Sequence, residues 1–247
     1  MRNYIAGVSL SSAIEGGYLE KLPVVRYLST VERLPFSSPV TFLVGENGTG
    51  KSTLLEAIAV AYGFNPEGGS RNFVFSTSAT HSELHQHLTL SKLAYPKDGF
   101  FLREESFYNT ASYLEELDEI SAGAPKLLQS YGGKSLHHQS HGESFLSLVQ
   151  NRFGGNGLYL LDEPEAALSP TRLLTLILEI HRLVQDNSQL IITTHSPTLM
   201  SYPNAEILQL TERGITSVSY QETEHYQLTR QFLEKPDQIL HYLLGEE

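Results

Sequence analysis

Gly45-Glu-Asn-Gly-Thr-Gly-Lys-Ser52 matches the spacing G-x-x-x-x-G-K-[ST] in full. Polyphosphate carries several negative charges that a protein must enclose. Glycines let successive backbone N–H groups turn inward as an anion nest. A helix beginning at the loop's end adds its positive dipole end. The ATP-binding residues are then Gly45, Glu46, Asn47, Gly48, Thr49, Gly50, Lys51, Ser52 and Thr53. In this loop Lys51 reaches the β- and γ-phosphates and Ser52 holds Mg²⁺, which enters with ATP as substrate. With average residue usage, roughly 1% of chains this long would match the four fixed positions by accident.

Leu158-Tyr-Leu-Leu-Asp162-Glu163-Pro164 is an apolar run ending in two carboxylates. Alone, a strand end with two solvated acids is an equally good reading. With the glycine loop upstream, Asp162 becomes a Mg²⁺ ligand and Glu163 the general base that polarises water. Thr193-Thr194-His195 closes another apolar run, so His195 would reach the γ-phosphate or its attacking water. A single histidine is more often structural, but this one ends a core strand where α/β sheets bind ligands. Ser140-His-Gly-Glu143 precedes a helical stripe and reads by itself more as a helix cap than as an anion site.

These groups need a scaffold that brings strand ends together. Val40–Val44 is β-prone and ends at Gly45, and Leu54, Leu55, Ile58, Ala59 and Tyr62 then recur at helical spacing up to Gly63. The sequence therefore predicts strand, glycine loop, helix. Tyr4–Leu10 and Val24–Leu28 read as further strands in an N-terminal β layer. Residues 65–139 read as an inserted mixed, largely helical subdomain, with helices over Ser82–Leu93 and Ser112–Ile120 and strands at Phe73–Phe75 and Phe100–Arg103. Phe145, Leu148, Val149 and Phe153 mark a helix, and Leu158–Leu161 a buried strand. Ser169 and Pro170 open another helix as N-cap and first residue. Leu190–Thr194 is a strand, Ile207–Leu210 and Ile215–Val218 a hairpin, and the tail from Glu224 is helical with a break at Pro236. Unalternating apolar strands between helices indicate a parallel sheet covered on both faces. The expected architecture is a single α/β domain over 1–247, with a mixed parallel sheet flanked by helices.

Composition narrows the function classes. The chain has 247 residues, a net charge of −11 and no cysteine, which excludes disulfides, thiolate metal sites and a Cys nucleophile. The absence of cysteine suits a reducing, cytoplasmic setting. The 17 Lys and Arg form no run, so charge does not support a chain that grips nucleic acid alone. Folding or dimerisation can still assemble a local patch. No apolar stretch reaches membrane-spanning length, and the short apolar start before Glu15 argues against a cleaved signal. His81, His85 and His87 cluster, as do His137, His138 and His141, but neither group has a neighbouring motif that would complete a metal site.

In their order and spacing these motifs resemble the ABC-type ATPase family. Asn47, Gly48, Gly50, Lys51 and Ser52 match its loop, Ser140 and Gly142 its signature, and Leu-Leu-Asp162-Glu163-Pro164 its Walker B element. Ala166-Ala167-Leu168-Ser169 sits at the D-loop position and His195 at that of the switch histidine. Within the family the resemblance is to the soluble SMC and RecF-like branch. Transporter ATPases carry a fuller Leu-Ser-Gly-Gly-Gln signature and an Arg-rich helix, whereas Arg152 is the only basic residue of Ser144–Arg152. The family's Q-loop glutamine is not evident, and Arg103 or Glu104 stands in its place. Tyr27 is a candidate for stacking on adenine. The resemblance implies a homodimer in which each ATP lies between the P-loop of one chain and Ser140 and Gly142 of the other. It leaves three functions open. One is a soluble ATPase driving an unidentified DNA-related or defence-related partner. The others are the ATP-binding subunit of a membrane transporter and a nucleotide-gated switch. The adjacent Asp162 and Glu163 favour turnover over a switch.

Overall fold

The computed structural model describes residues 3–70, 82–103 and 141–245. In chain order it opens with strand β1 (Ile5–Leu10), helices α1 (Gly17–Lys21) and α2 (Pro23–Leu28), and strand β2 (Leu34–Pro35). Strand β3 (Val40–Gly45) and helix α3 (Lys51–Tyr62) flank the glycine loop, followed by β4 (Leu88–Lys92) and β5 (Asp98–Arg103). Next come α4 (His141–Arg152), β6 (Gly157–Asp162), α5 (Pro170–Gln185), β7 (Gln189–Thr193) and α6 (Pro197–Met200). The hairpin β8 (Glu206–Thr211) and β9 (Gly214–Val218) leads to α7 (Glu224–Glu234) and α8 (Pro236–Leu244).

Among the described residues, six strands form the main sheet in the order β5-β6-β7-β3-β8-β9. All neighbours are parallel except the β8–β9 hairpin. The smaller sheet, β2-β1-β4, is antiparallel. The period-two geometry of β3 divides its side chains between two cores. Val40, Phe42 and Val44 face a cluster containing Phe145, Leu148 and Leu176 from α4 and α5. Leu43 faces a second cluster with Leu54 and Ile58 of α3 and Ile5 and Val8 of β1. Burial on both faces explains why the core strands read as continuous apolar runs. The expected fold class, a mixed parallel sheet flanked by helices with an antiparallel β layer, is observed.

Two expected elements are corrected. Val24–Leu28 is helical, not a strand: Pro23 occupies the first helical position after Leu22, and Val24, Val25 and Leu28 share one buried face. Ser82–Leu93 is not one helix. Ser82 caps a single 3-10 turn at Glu83–His87, and β4 then pairs antiparallel with β1, Leu88 opposite Leu10. Leu84 and Leu88 have helical spacing, but strand pairing with β1 prevails over that local pattern. Within 65–139, the described β4 and β5 each join a sheet of the core. Ser169 does stand at the N-cap of α5 with Pro170 first, although its side chain makes no capping hydrogen bond. Phe73–Phe75 and Ser112–Ile120 lie outside the described residues.

At the amino end of β5, Asp98 ties three elements together. Its carboxylate accepts from Arg152 Nη1 at 2.7 Å, Gly154 N at 3.0 Å and the Tyr159 hydroxyl at 2.8 Å. Burial works against ionisation of Asp98, but these donors outweigh it and hold the carboxyl below its ordinary pKa. Burial and the Asp98 charge push the Tyr159 phenol far up.

Candidate functional site

The register of the parallel strands sets the site. Arg103, Asp162 and Thr193 are successive cross-strand partners at the carboxyl ends of β5, β6 and β7, and Leu43 of β3 pairs with Thr193. The glycine loop continues from the next residues of β3, so one sheet edge gathers every core motif. Carboxyl ends of parallel strands are where open α/β sheets bind ligands.

The loop's glycines are needed at two close approaches. Gly45 has φ 142°, and a Cβ there would collide with Leu210 O. Gly50 has φ 94°, and a Cβ would lie 2.5 Å from Val24 Cγ1. The second contact gives the unforeseen helix α2 a task, since it braces the back of the loop. Val24 N also donates to Thr49 O at 3.3 Å. Lys51 is 4% exposed and donates from Nζ to Gly45 O at 2.7 Å and Glu46 O at 3.0 Å. Burial lowers its pKa, while Glu163, Asp162 and Glu165 oppose that shift. A concavity of about 140 Å³ is lined by Asn47, Gly48, Lys51, Ser52, Thr53 and Glu163.

Asp162 and Glu163 are held by Thr193, which is fully buried. The Thr193 hydroxyl donates to Asp162 Oδ1 at 2.6 Å and accepts from Glu163 N at 3.0 Å. Glu163 N also reaches Thr193 O at 3.2 Å. Glu163 adopts the left-handed conformation at φ 45°, uncommon for a residue with a side chain, as the chain leaves β6 for a 3-10 turn at Pro164–Ala167. Its Oε1 lies 3.4 Å from His195 Nε2. Ser52 and Asp162 offer hard oxygen donors beside a phosphate-sized loop. Mg²⁺ typically takes one or two protein oxygens and completes its shell with phosphate and water, so this donor set fits. The described residues contain no group of three or more His, Cys, Asp or Glu that could hold a metal ion.

Glu165 and His225 were not anticipated. Glu165 Oε1 accepts from His195 N at 2.5 Å, fixing the backbone of the histidine loop. Burial raises the Glu165 pKa, partly offset by that bond. His195 Nδ1 lies 3.0 Å from His225 Nε2 of α7. Only the Glu of the Asp-Glu-Pro-Glu string hinted at the first, and no local pattern announced the second.

Arg103, one of the two residues expected in the glutamine's place, ends β5. Its Nη1 contacts Glu56 Oε2 of α3 at 2.5 Å, and its Nε is 3.9 Å from Asp162 Oδ2. It therefore links the P-loop helix to the Asp162 strand. Glu104 and Ser140 lie outside the described residues. Gly142, in the first turn of α4, abuts the 3-10 turn: a Cβ there would lie 2.6 Å from Ala167 O. Tyr27 packs on Gly214, where a Cβ would lie 2.7 Å from its ring. His85 Nδ1 engages Ser82 O at 2.9 Å and His87 Nδ1 the Ser12 hydroxyl at 2.7 Å, while His81, His137 and His138 are outside the described residues.

Comparison with known proteins gives a consistent result. A family model described as an AAA domain matches residues 25–129. A second, described as "AAA domain, putative AbiEii toxin, Type IV TA system", matches residues 136–201. The L-cystine transport system ATP-binding protein TcyN of Escherichia coli is 25% identical over 79% of this chain and 86% of its own length. The galactose/methyl galactoside import ATP-binding protein MglA 2 of Photobacterium profundum is 33% identical over 41% of this chain. The matched part is about a quarter (24%) of that relative's length. A solved ATP-binding cassette of an ABC transporter superposes with a TM-score of 0.51 at 15% identity, covering 94% of this chain and 98% of that one. The fold is that of an ABC cassette, and the sequence matches support the ABC-type ATPase family. No described helix is long and apolar enough to cross a membrane.

Proposed function

We propose that this chain is an ABC-type ATPase of the soluble SMC and RecF-like branch, which binds Mg²⁺-ATP and hydrolyses it to ADP and phosphate. The observation that carries the reading is the convergence of Lys51, Asp162, Glu163 and His195 on one sheet edge, with Glu163 3.4 Å from His195. Residues Gly45 to Thr53 wrap the phosphates, and Ser52 and Asp162 hold the metal ion. The Lys51 ammonium, already donating to two loop carbonyls, turns to the β- and γ-phosphates. Glu163 accepts the proton of the attacking water, and His195 donates to the γ-phosphate.

In this proposal the site is completed by a second copy of the chain, whose Ser140 and Gly142 cover the γ-phosphate. Closure assembles the site and hydrolysis reopens it. The concavity around the glycine loop is small beside ordinary ligand pockets of roughly 300–1,000 Å³, which supports a nucleotide covered from outside. The work would be done cytoplasmically on a DNA-related or defence-related partner. A second reading, the ATP-binding subunit of a membrane transporter, is favoured by the curated relatives, which are transport ATP-binding proteins. Co-purification with a membrane protein would select it.

The test is Glu163→Gln. The variant should bind ATP, lose most turnover and accumulate as an ATP-bound dimer on a sizing column. A monomer under those conditions rules out the composite site. Turnover that survives Lys51→Ala rules out the P-loop assignment.

A further inference from the structure

A histidine that meets phosphate must present a hydrogen, and neutral imidazole carries only one. His195 Nε2 faces Glu163 Oε1 at 3.4 Å and has no hydrogen-bond partner among the described residues. A carboxylate and a phosphate are both acceptors, so in the neutral ring the hydrogen lies on Nε2. Nδ1 is then a bare lone pair that needs a donor. The group at Nδ1 is His225 Nε2, 3.0 Å away, with the rings tilted by 59°. We infer that His225 is the positioning residue for His195, donating its Nε2–H to His195 Nδ1 and so fixing the tautomer and ring orientation that aim His195 Nε2 at the γ-phosphate.

The surroundings suit this task. His225 is half-buried in the first turn of α7. The helix start is itself fixed, because the wholly buried Thr223 accepts from Tyr226 N at 3.3 Å and donates to Tyr220 O at 2.8 Å. Three charged or titratable groups act on His225. His195 and Lys51 disfavour a second proton, as burial does first of all, and Glu224 opposes them. A neutral His225 has a single N–H, and this geometry spends it on His195. The other hold on His195 is through its backbone, from Glu165. Backbone and ring are therefore fixed by different elements, one before and one after the histidine in sequence. An imidazole whose second nitrogen is satisfied by a fixed partner loses its choice of tautomer.

The inference rests on the ATPase reading for its kinetic consequence but not for its structural one. In His225→Ala, kcat should fall about 10-fold to 30-fold while KM for ATP stays within about two-fold, because binding to the glycine loop is untouched. His225→Gln, which restores an N–H donor, should recover kcat to within about three-fold of wild type. Independently, ¹H–¹⁵N imidazole spectra of the nucleotide-free chain should show His195 as the Nε2-protonated tautomer, becoming a mixture in His225→Ala. An unchanged kcat in His225→Ala, equal losses in the Ala and Gln variants, or an unaltered His195 tautomer each overturns the inference. If the wild-type chain shows no turnover, the ATPase reading fails, and the spectra alone decide the role of His225.

Discussion

Thr193→Val keeps the shape of a fully buried side chain while deleting its hydroxyl. That hydroxyl makes two bonds, to Asp162 Oδ1 at 2.6 Å and from Glu163 N at 3.0 Å. They are not lost equally. Glu163 N keeps Thr193 O at 3.2 Å, so its hydrogen stays satisfied. Asp162 loses a bond outright, and a hydrogen bond to a charged group contributes about 1.5–3 kcal/mol. The Asp162 side chain is 13% exposed, so water regains part of it and the lower portion applies, about 1.5–2 kcal/mol. For a domain of this size that corresponds to a Tm lower by about 3–8 °C. If all of it appeared as misplacement of Asp162, the proposed metal ligand, in the transition state, turnover would fall by at most about 30-fold. Thermal melting and steady-state ATP hydrolysis over a Mg²⁺ titration measure the two effects. A variant with wild-type Tm and wild-type Mg²⁺ dependence would refute the idea that Thr193 holds the Asp162-Glu163 corner.

Two further outcomes follow from the charge network. Because the Asp98 carboxyl is held below its ordinary pKa, it contributes stability above about pH 4 that is lost as the pH falls through its lower folded value. Asp98→Asn should therefore be less stable at neutral pH and show a flatter acid limb in urea melts between pH 3 and 7; parallel curves would remove Asp98 from the account of acid stability. Arg103→Gln leaves the buried Glu56 with its bond from Ser82 N and without its cation. Loss of about 2–3 kcal/mol is expected, below the usual cost of breaking a buried pair because Arg103 is 19% exposed. An unchanged urea midpoint would show that the pair does not brace α3 against β5.

The motifs and the strands that carry them were legible because their signals are local. Val40–Val44 with its glycine loop, and Leu158–Leu161 with its two acids, each state their element and its place at the sheet edge within a dozen residues. The failures lie mostly where distant partners decide. Val24 and Val25 have strand propensity, but Pro23 opens a helix there, a local signal passed over, and Val24 packs against the distant Gly50. Leu84 and Leu88 have helical spacing, but β1 recruits Leu88 into a sheet. His225 meets His195 across 30 positions, through a contact that no periodicity encodes. Arg103 was foreseen as an occupant of the glutamine's place, whereas its partner Glu56, within the apolar run of α3, was not.

The strand order has a consequence for how the chain acquires its shape. β3, which delivers the glycine loop, lies between β7 and β8, with Val40 opposite Leu190 and Thr41 opposite Glu206. The strand is fully buried, and both of its edges wait for segments about 150 residues downstream. During synthesis, the apolar Val40–Val44 would therefore leave the ribosome long before anything can pair with it. Pairings this remote in sequence slow folding and expose unpaired edges meanwhile. The glycine loop would be made before the strands that hold it and fixed in place only after them.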